Sequence, residues 1–172
     1  MNKKRKLIWQ IFPSFLLITL LSLTAVTSYS NRYFKTFFLQ YSEKELTIQT
    51  QLLEKKFGHI LKARPDTGLE KLVALIDPLC KEIGLETGTR ATVIMPDGLV
   101  VGDSFGDIST MENHASRPEI AKALGTMKGV SIRYSATLDN QMMYIALPVV
   151  KDDEVIAVVR TAVSISAIDQ EI

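Results

Sequence analysis

The chain has 172 residues, 47% of them hydrophobic, and a formal charge of only +1, so it lacks the basic surplus that neutralising nucleic-acid phosphates demands. Its one cysteine, Cys80, excludes an internal disulfide, and an exported domain would have to be stabilised by its core alone. Beyond the N-terminal apolar segment about 140 residues remain, the size of one domain with a real core.

The N-terminus opens with Lys3, Lys4, Arg5 and Lys6, followed by Leu7–Asn31, a stretch with no charged residue. At roughly 1.5 Å rise per residue this stretch crosses a hydrocarbon core of about 30 Å as a single helix. The positive-inside rule keeps residues 1–6 cytoplasmic as a basic tail. Residues 7–31 are then a transmembrane helix that crosses the cell membrane once, and everything after them is extracytoplasmic, periplasmic or extracellular. Arg32 and Lys35 on the far side weaken this bias without reversing it. Small residues at Ala25-Val26-Thr27 also fit a cleaved signal, but the apolar run exceeds the roughly 7–15 residues of a signal-peptide core and favours a retained anchor. Either way the remainder is exported. Pro13 is tolerable in a membrane helix, where neighbouring groups satisfy the freed carbonyl. With the basic tail set aside, the exported portion is slightly acidic.

From Asn31 to about Lys62 the residues favour a long amphipathic helix. Leu39, Leu46, Leu53 and Ile60 recur every seven positions, flanked by Phe57 and Leu61, with Glu43, Lys44, Glu45, Glu54, Lys55 and Lys56 opposite. Such a column can pack on its own domain or, in part, against a second copy. Confinement to a membrane makes a homodimer the expected assembly.

Pro65-Asp66-Thr67-Gly68 breaks this helix, and Asp66 or Thr67 can cap the next. The second helix is expected over Leu69–Ile83, with Leu72, Val73, Leu75, Ile76 and Leu79 on its apolar face. Pro78 should kink or restart it, Cys80 reads as a buried inert thiol, and Gly84 and Gly88 mark the exit.

At Thr89 the period changes from helix to strand. Arg90–Met95 and Leu99–Val101 form a hairpin about the turn Pro96-Asp97-Gly98, Gly102–Asp107 is a loop, and Pro118–Leu124 is a short helix. Two further strands, Val130–Thr137 and Met142–Val150, are linked by Leu138–Gln141. In the first, Ile132 and Tyr134 alternate with Ser131, Arg133 and Ser135, so one face is polar. Val155–Ser164 follows the turn Lys151-Asp152-Asp153-Glu154, and residues 166–172 look like the opening of another helix. The fold class is therefore α+β with one five-stranded antiparallel sheet.

Catalytic signatures are not legible. His59 and His114 have no ligand-spaced partners, so neither a metal nor a cofactor is expected. Asp103-Ser104 and His114 could be assembled into a triad on paper, as residues in most sequences can. More informative is Met111–Ile120, which delivers His114 and Arg117 at a helix N-terminus, where unpaired backbone N–H groups favour anions. Arg133, Tyr144 and Arg160 sit on three successive expected strands. A common face for the two arginines would create a site for a carboxylate or phosphate. Together with Asp103 these residues are the candidates for recognising a small anionic ligand or a partner protein. Alternatively, each arginine pairs with an acid such as Asp103 or Glu119 and only shapes the sheet surface, since register cannot be read from sequence.

The runs ATVIMPDGLVVGDS, ENHASRPEIAKAL, GVSIRYSATLDNQMMYIALPV and EVIAVVRTAVSIS resemble the extracytoplasmic sensor region of membrane histidine kinases similar to the phosphate-regulon sensors. The resemblance spans roughly Arg90 to Ser166. It implies a PAS-like, single-Cache sensor domain over residues 32–165, a membrane-proximal helix supporting the sheet, and a homodimer. In such two-component systems the domain is non-catalytic and relays a signal across the membrane to a cytoplasmic kinase. The chain departs from that pattern at its end, with no second span, HAMP-like linker, phosphoacceptor helix or ATP-binding region. It is expected to be the input fragment of a larger receptor or a truncated product, and kinase activity is not assigned to these residues. A pilin-like assembly subunit shares the helix-then-sheet outline, but the short leader ending in Gly and the Glu near the start of the apolar run are missing. An anchored exported enzyme is the remaining alternative, with no catalytic constellation to support it.

Overall fold

The computed structural model describes residues 3–64, 67–125, 127–135 and 138–165, with side chains from residue 11 onward. Helix α1 spans Lys3–Lys62 and includes Pro13. The chain divides between Gln40 and Tyr41 into two compact units.

In the first unit α1 is apolar around its circumference and unburied, with a mean hydropathy of 1.9 over its most apolar window. A helix of this length and composition can cross a membrane. Two of its hydroxyls bond within the helix: Thr19 donates to the Phe15 carbonyl at 2.7 Å and Thr24 to that of Leu20 at 2.8 Å, which leaves neither as an unpaired polar group in hydrocarbon.

The second unit is built on one sheet in the order β2-β1-β5-β4-β3. Its strands are β1 Arg90–Ile94, β2 Val100–Asp103, β3 Gly129–Ser135, β4 Asn140–Lys151 and β5 Glu154–Ser164. Every pairing is antiparallel, and the β1–β5 pair joins strands far apart in sequence. Asp152 and Asp153 adopt φ of 51° and 65° in the β4–β5 turn, the left-handed pair that matches strand twist in a two-residue hairpin.

One sheet face is covered by the C-terminal part of α1 and by α2, Leu69–Thr87. Phe57, Leu61, Leu72, Ile76 and Cys80 pack there against Val93, Val149 and Val159. The heptad column thus serves the chain's own core: Leu46 is 2% exposed, and Leu53 and Ile60 are half-buried. A polar tie reinforces the contact. The Thr50 hydroxyl donates to the Leu46 carbonyl at 2.6 Å, so it accepts from Thr161 of β5 at 2.5 Å.

Three local expectations need correction. Helix α2 runs through Pro78 without restarting, because Pro78 and Ala74, whose carbonyl loses its donor, both lie on the exposed side, where water can replace the bond. Its N-cap is Gly68 with no side-chain cap; the Thr67 amide turns back to the Arg64 carbonyl at 3.3 Å, and Asp66 lies outside the described residues. Gly102 and Asp103 belong to β2 rather than to the loop. Gly88, at φ 66°, ends α2 in the left-handed conformation with its N–H on the Gly84 carbonyl. The helix expected over 166–172 falls outside the described residues.

The other sheet face carries α3, Pro118–Gly125, preceded by a 3₁₀ turn at Ile108–Thr110. Ile94, Val100, Ile120, Ala123, Ala146 and Val158 form a second apolar cluster there.

Candidate ligand-binding site

The sheet face beneath α3 carries two in-register rungs. One runs Ser131, Tyr144, Ala162, Arg90 across β3, β4, β5 and β1, and the other runs Ala146, Arg160, Thr92, Asp103 across β4, β5, β1 and β2. Directly opposed residues share a face, so the small Ala146 and Ala162 leave room for the large Arg160 and Tyr144. Arg133, two residues beyond Ser131 on β3, lies on this face as well. Its guanidinium carbon sits 4.0 Å from the Tyr144 ring centroid, and that of Arg160 sits 5.1 Å from it, placing the ring between two cations. The polar face of β3 therefore points inward and the apolar one outward: Ile132 is 48% exposed and Tyr134 53%.

Segment 106–117 flanks this floor and with it borders a half-open cavity of about 470 Å³, a size suited to a small molecule. Of the six candidates, His114, Arg117, Arg133, Tyr144 and Arg160 line it, joined by Arg90. Asp103 is a support instead. Its carboxylate accepts from Arg90 Nε at 3.0 Å, from the Thr92 hydroxyl at 2.7 Å and from the amides of Phe105 and Gly106 at 3.0 and 2.9 Å. Lys81 of α2 donates to the carbonyls of Asp103 and Gly106 at 2.7 and 2.6 Å, pinning the same loop from outside. Burial pushes the Asp103 carboxyl up, but Arg90 and these hydrogen bonds outweigh it and hold the pKa low.

Glu119, in the first turn of α3, is the second buried acid. It accepts from the Ser131 hydroxyl at 2.7 Å, from Arg133 Nη2 at 2.8 Å and from Arg160 Nη1 at 3.2 Å. Burial raises its pKa; the bonds from Arg133 and Ser131 and the charge of Arg160 outweigh that and bring it down to about 2. The expected pairing of arginines with Asp103 and Glu119 is thus present, and a cavity remains beside it.

Arg160 is fully buried; burial lowers its pKa, Glu119 opposes that, and the guanidinium stays charged at neutral pH. His114 Nδ1 lies 2.7 Å from the Glu112 carbonyl, which can only accept, so Nδ1 carries the proton. Burial, followed by the nearby Arg160 charge, lowers the His114 pKa to about 4, leaving a neutral ring at neutral pH. The triad drawn from Asp103, Ser104 and His114 is not assembled, because each is engaged elsewhere: the Ser104 hydroxyl accepts from the Ala91 amide at 2.9 Å.

Arg90 was not among the candidates, although the alternation of Arg90 and Thr92 with Ala91 and Val93 is the period-2 signal that would have placed it. Glu119 was anticipated only as an arginine partner, not as the group that joins two strands to α3.

No family model and no curated protein matches the chain. Solved structures do. The ligand-binding domain of the Campylobacter jejuni chemoreceptor Tlp3, in complex with L-valine, superposes with a TM-score of 0.60 at 14% identity, covering 81% of this chain and 59% of that one. The periplasmic domain of RsbU from Chlamydia trachomatis gives a TM-score of 0.55 at 19% identity, covering 83% and 52%. The sensor domain of the V. cholerae histidine kinase DctB gives 0.49 at 17% identity, covering 74% and 55%. The chain spans little more than half the length of these structures. A long N-terminal helix followed by a five-stranded antiparallel sheet, an arrangement shared with the Tlp3 and RsbU domains, is a PAS/Cache-like fold.

Proposed function

We propose that this chain is the extracytoplasmic sensing portion of a two-component histidine kinase, anchored by residues 7–31 and carrying its sensor domain over residues 32–165. The observation that carries the reading is the arginine-walled cavity between the sheet and segment 106–117. A small anionic ligand binds there against His114, Arg117, Arg133, Tyr144 and Arg160, while Asp103 holds Arg90 and the cavity loop in place. The resemblance of residues 90–166 to sensors of the phosphate-regulon type supports assignment to a kinase rather than to another class of receptor. The Tlp3 ligand-binding domain, crystallised with L-valine, supports a small-molecule stimulus.

Signalling requires that the ligand favour one arrangement of the domain over another, since equal affinity for both transmits nothing. The same reading takes the chain as a homodimer. Because Leu46, Leu53 and Ile60 are consumed internally, the dimer uses the opposite side of α1, where Ile48 and Leu52 are exposed. The test is a thermal-shift screen of the whole chain in detergent against metabolite and ion panels, with protease treatment of intact cells to establish topology. Stabilisation by a small anion, together with cleavage beyond Asn31, is the expected result. Protection of that region because it faces the cytosol overturns the receptor reading.

A further inference from the structure

Two guanidinium groups in the cavity wall keep a buried N–H with no acceptor among the described residues: Nε of Arg117 and Nε of Arg160. Arg160 is only 1% exposed, and its other nitrogens are used, Nη1 on Glu119 at 3.2 Å and Nη2 on the Thr92 hydroxyl at 3.1 Å. Buried cationic donors left unpaired are costly, and such exceptions call for a specific explanation.

The charges around them do not balance. The fully buried acids are Asp103 and Glu119. Asp103 is committed to Arg90, and Glu119 is shared by Arg133 and Arg160. Three guanidiniums thus face two buried carboxylates, an excess of one positive charge, with Arg133 half-buried rather than buried. Among the described residues Arg117 pairs only with Glu112, at 3.6 Å, and that carboxylate is 86% exposed, so solvent screens the pair. Asp107, at the rim, is exposed and already accepts from Ser109. A positively charged group entering the cavity would therefore meet guanidinium groups and no uncommitted buried carboxylate.

Resting on the small-ligand reading above, we infer that the cavity selects a small carboxylate or phosphate oxyanion bearing no ammonium group, anchored by the Nε–H donors of Arg160 and Arg117. This separates the chain from its structural neighbour Tlp3, whose ligand L-valine carries an α-ammonium. Carboxylate and phosphate present the same acceptor oxygens to a guanidinium, so both are probed.

The test uses the whole chain in detergent micelles and three probes: isovalerate, L-valine (isovalerate with an α-ammonium added) and inorganic phosphate. Isovalerate, phosphate or both should bind, with L-valine at least about tenfold weaker than the better anion. Arg117→Gln should weaken anion binding at least about tenfold while leaving the ligand-free melting temperature unchanged, because its protein partner is exposed. Arg160→Lys, which keeps the buried charge and removes the Nε–H, should weaken it as well. L-valine binding as tightly as the better anion overturns the inference but leaves the small-ligand reading standing. Anion binding unchanged in Arg117→Gln overturns the anchoring role. Silence with all three probes overturns the oxyanion class, and a hit elsewhere in a broad metabolite panel would show that the small-ligand reading survives it.

Discussion

Arg133 on the edge strand β3 is forked onto Glu119 of α3, with Nη2 2.8 Å from Oε1 and Nε 3.3 Å from Oε2. The pair fastens the helix that roofs one side of the sheet to the strand that ends it. Removing Glu119 strands two guanidiniums, one of them fully buried, whereas removing Arg133 leaves Glu119 with Arg160 and Ser131. Glu119→Ala should therefore cost about 3–5 kcal/mol, and Arg133→Ala about 1–3 kcal/mol. Urea unfolding ranks them; the reverse order would contradict this account of the network. Arg133→Ala should remain folded and lose ligand-induced thermal stabilisation.

Acid sensitivity follows from His114. Burial and the neighbouring arginines hold its pKa at about 4 instead of 6.5, so between these values the unfolded chain binds a proton that the folded chain does not. Stability then rises with pH across that window, is fully present above it, and declines by up to about 3 kcal/mol as pH falls through it. Glu119, held at about 2 instead of 4.5, adds a further loss at lower pH. Chemical denaturation midpoints measured from about pH 7 to pH 4 should fall in the native protein and change less in His114→Gln. Equal slopes would remove His114 as the cause.

The two sides of α1 should respond differently to truncation. Phe57 is fully buried against α2 and the sheet, and Phe57→Ala should cost about 3–5 kcal/mol. Leu52 is 62% exposed, and Leu52→Ala should leave protomer stability within about 0.5 kcal/mol. Sedimentation of the detergent-solubilised chain would then show whether Leu52→Ala weakens self-association, as the proposed dimer requires.

Close approach rather than φ restricts Gly129. A Cβ built there lands on the Glu119 carbonyl group, so Gly129→Ala should force α3 away from β3 and cost about 1–3 kcal/mol. At Gly125, in the same helix, a Cβ meets nothing within 4 Å, and Gly125→Ala should change stability by no more than about 1 kcal/mol. Thermal melts of the two variants compare them directly; equal effects would mean that the α3–β3 contact is not tight.

The amino-acid sequence by itself determined the local layer of this protein. An uncharged run long enough to cross a membrane, the switch at Thr89 from helical to strand period, the Pro-Asp-Gly turn and the order of five strands all depend on residues close together in the chain, where periodicity and turn chemistry act directly. Only the tertiary structure decided which faces meet. The β1–β5 pairing, which sets Thr92 beside Arg160 and brings Arg90 into the cavity, joins segments nearly seventy residues apart, and no local signal specifies such a register. The same holds for β3: its alternation showed a polar and an apolar face, but only the Glu119 carboxylate waiting on α3 turns Arg133 inward and leaves Ile132 and Tyr134 outside. Asp103, counted among the ligand candidates, went to Arg90 and its own loop for the same reason. A buried charge is placed by the partner that neutralises it, and that partner arrives from elsewhere in the fold.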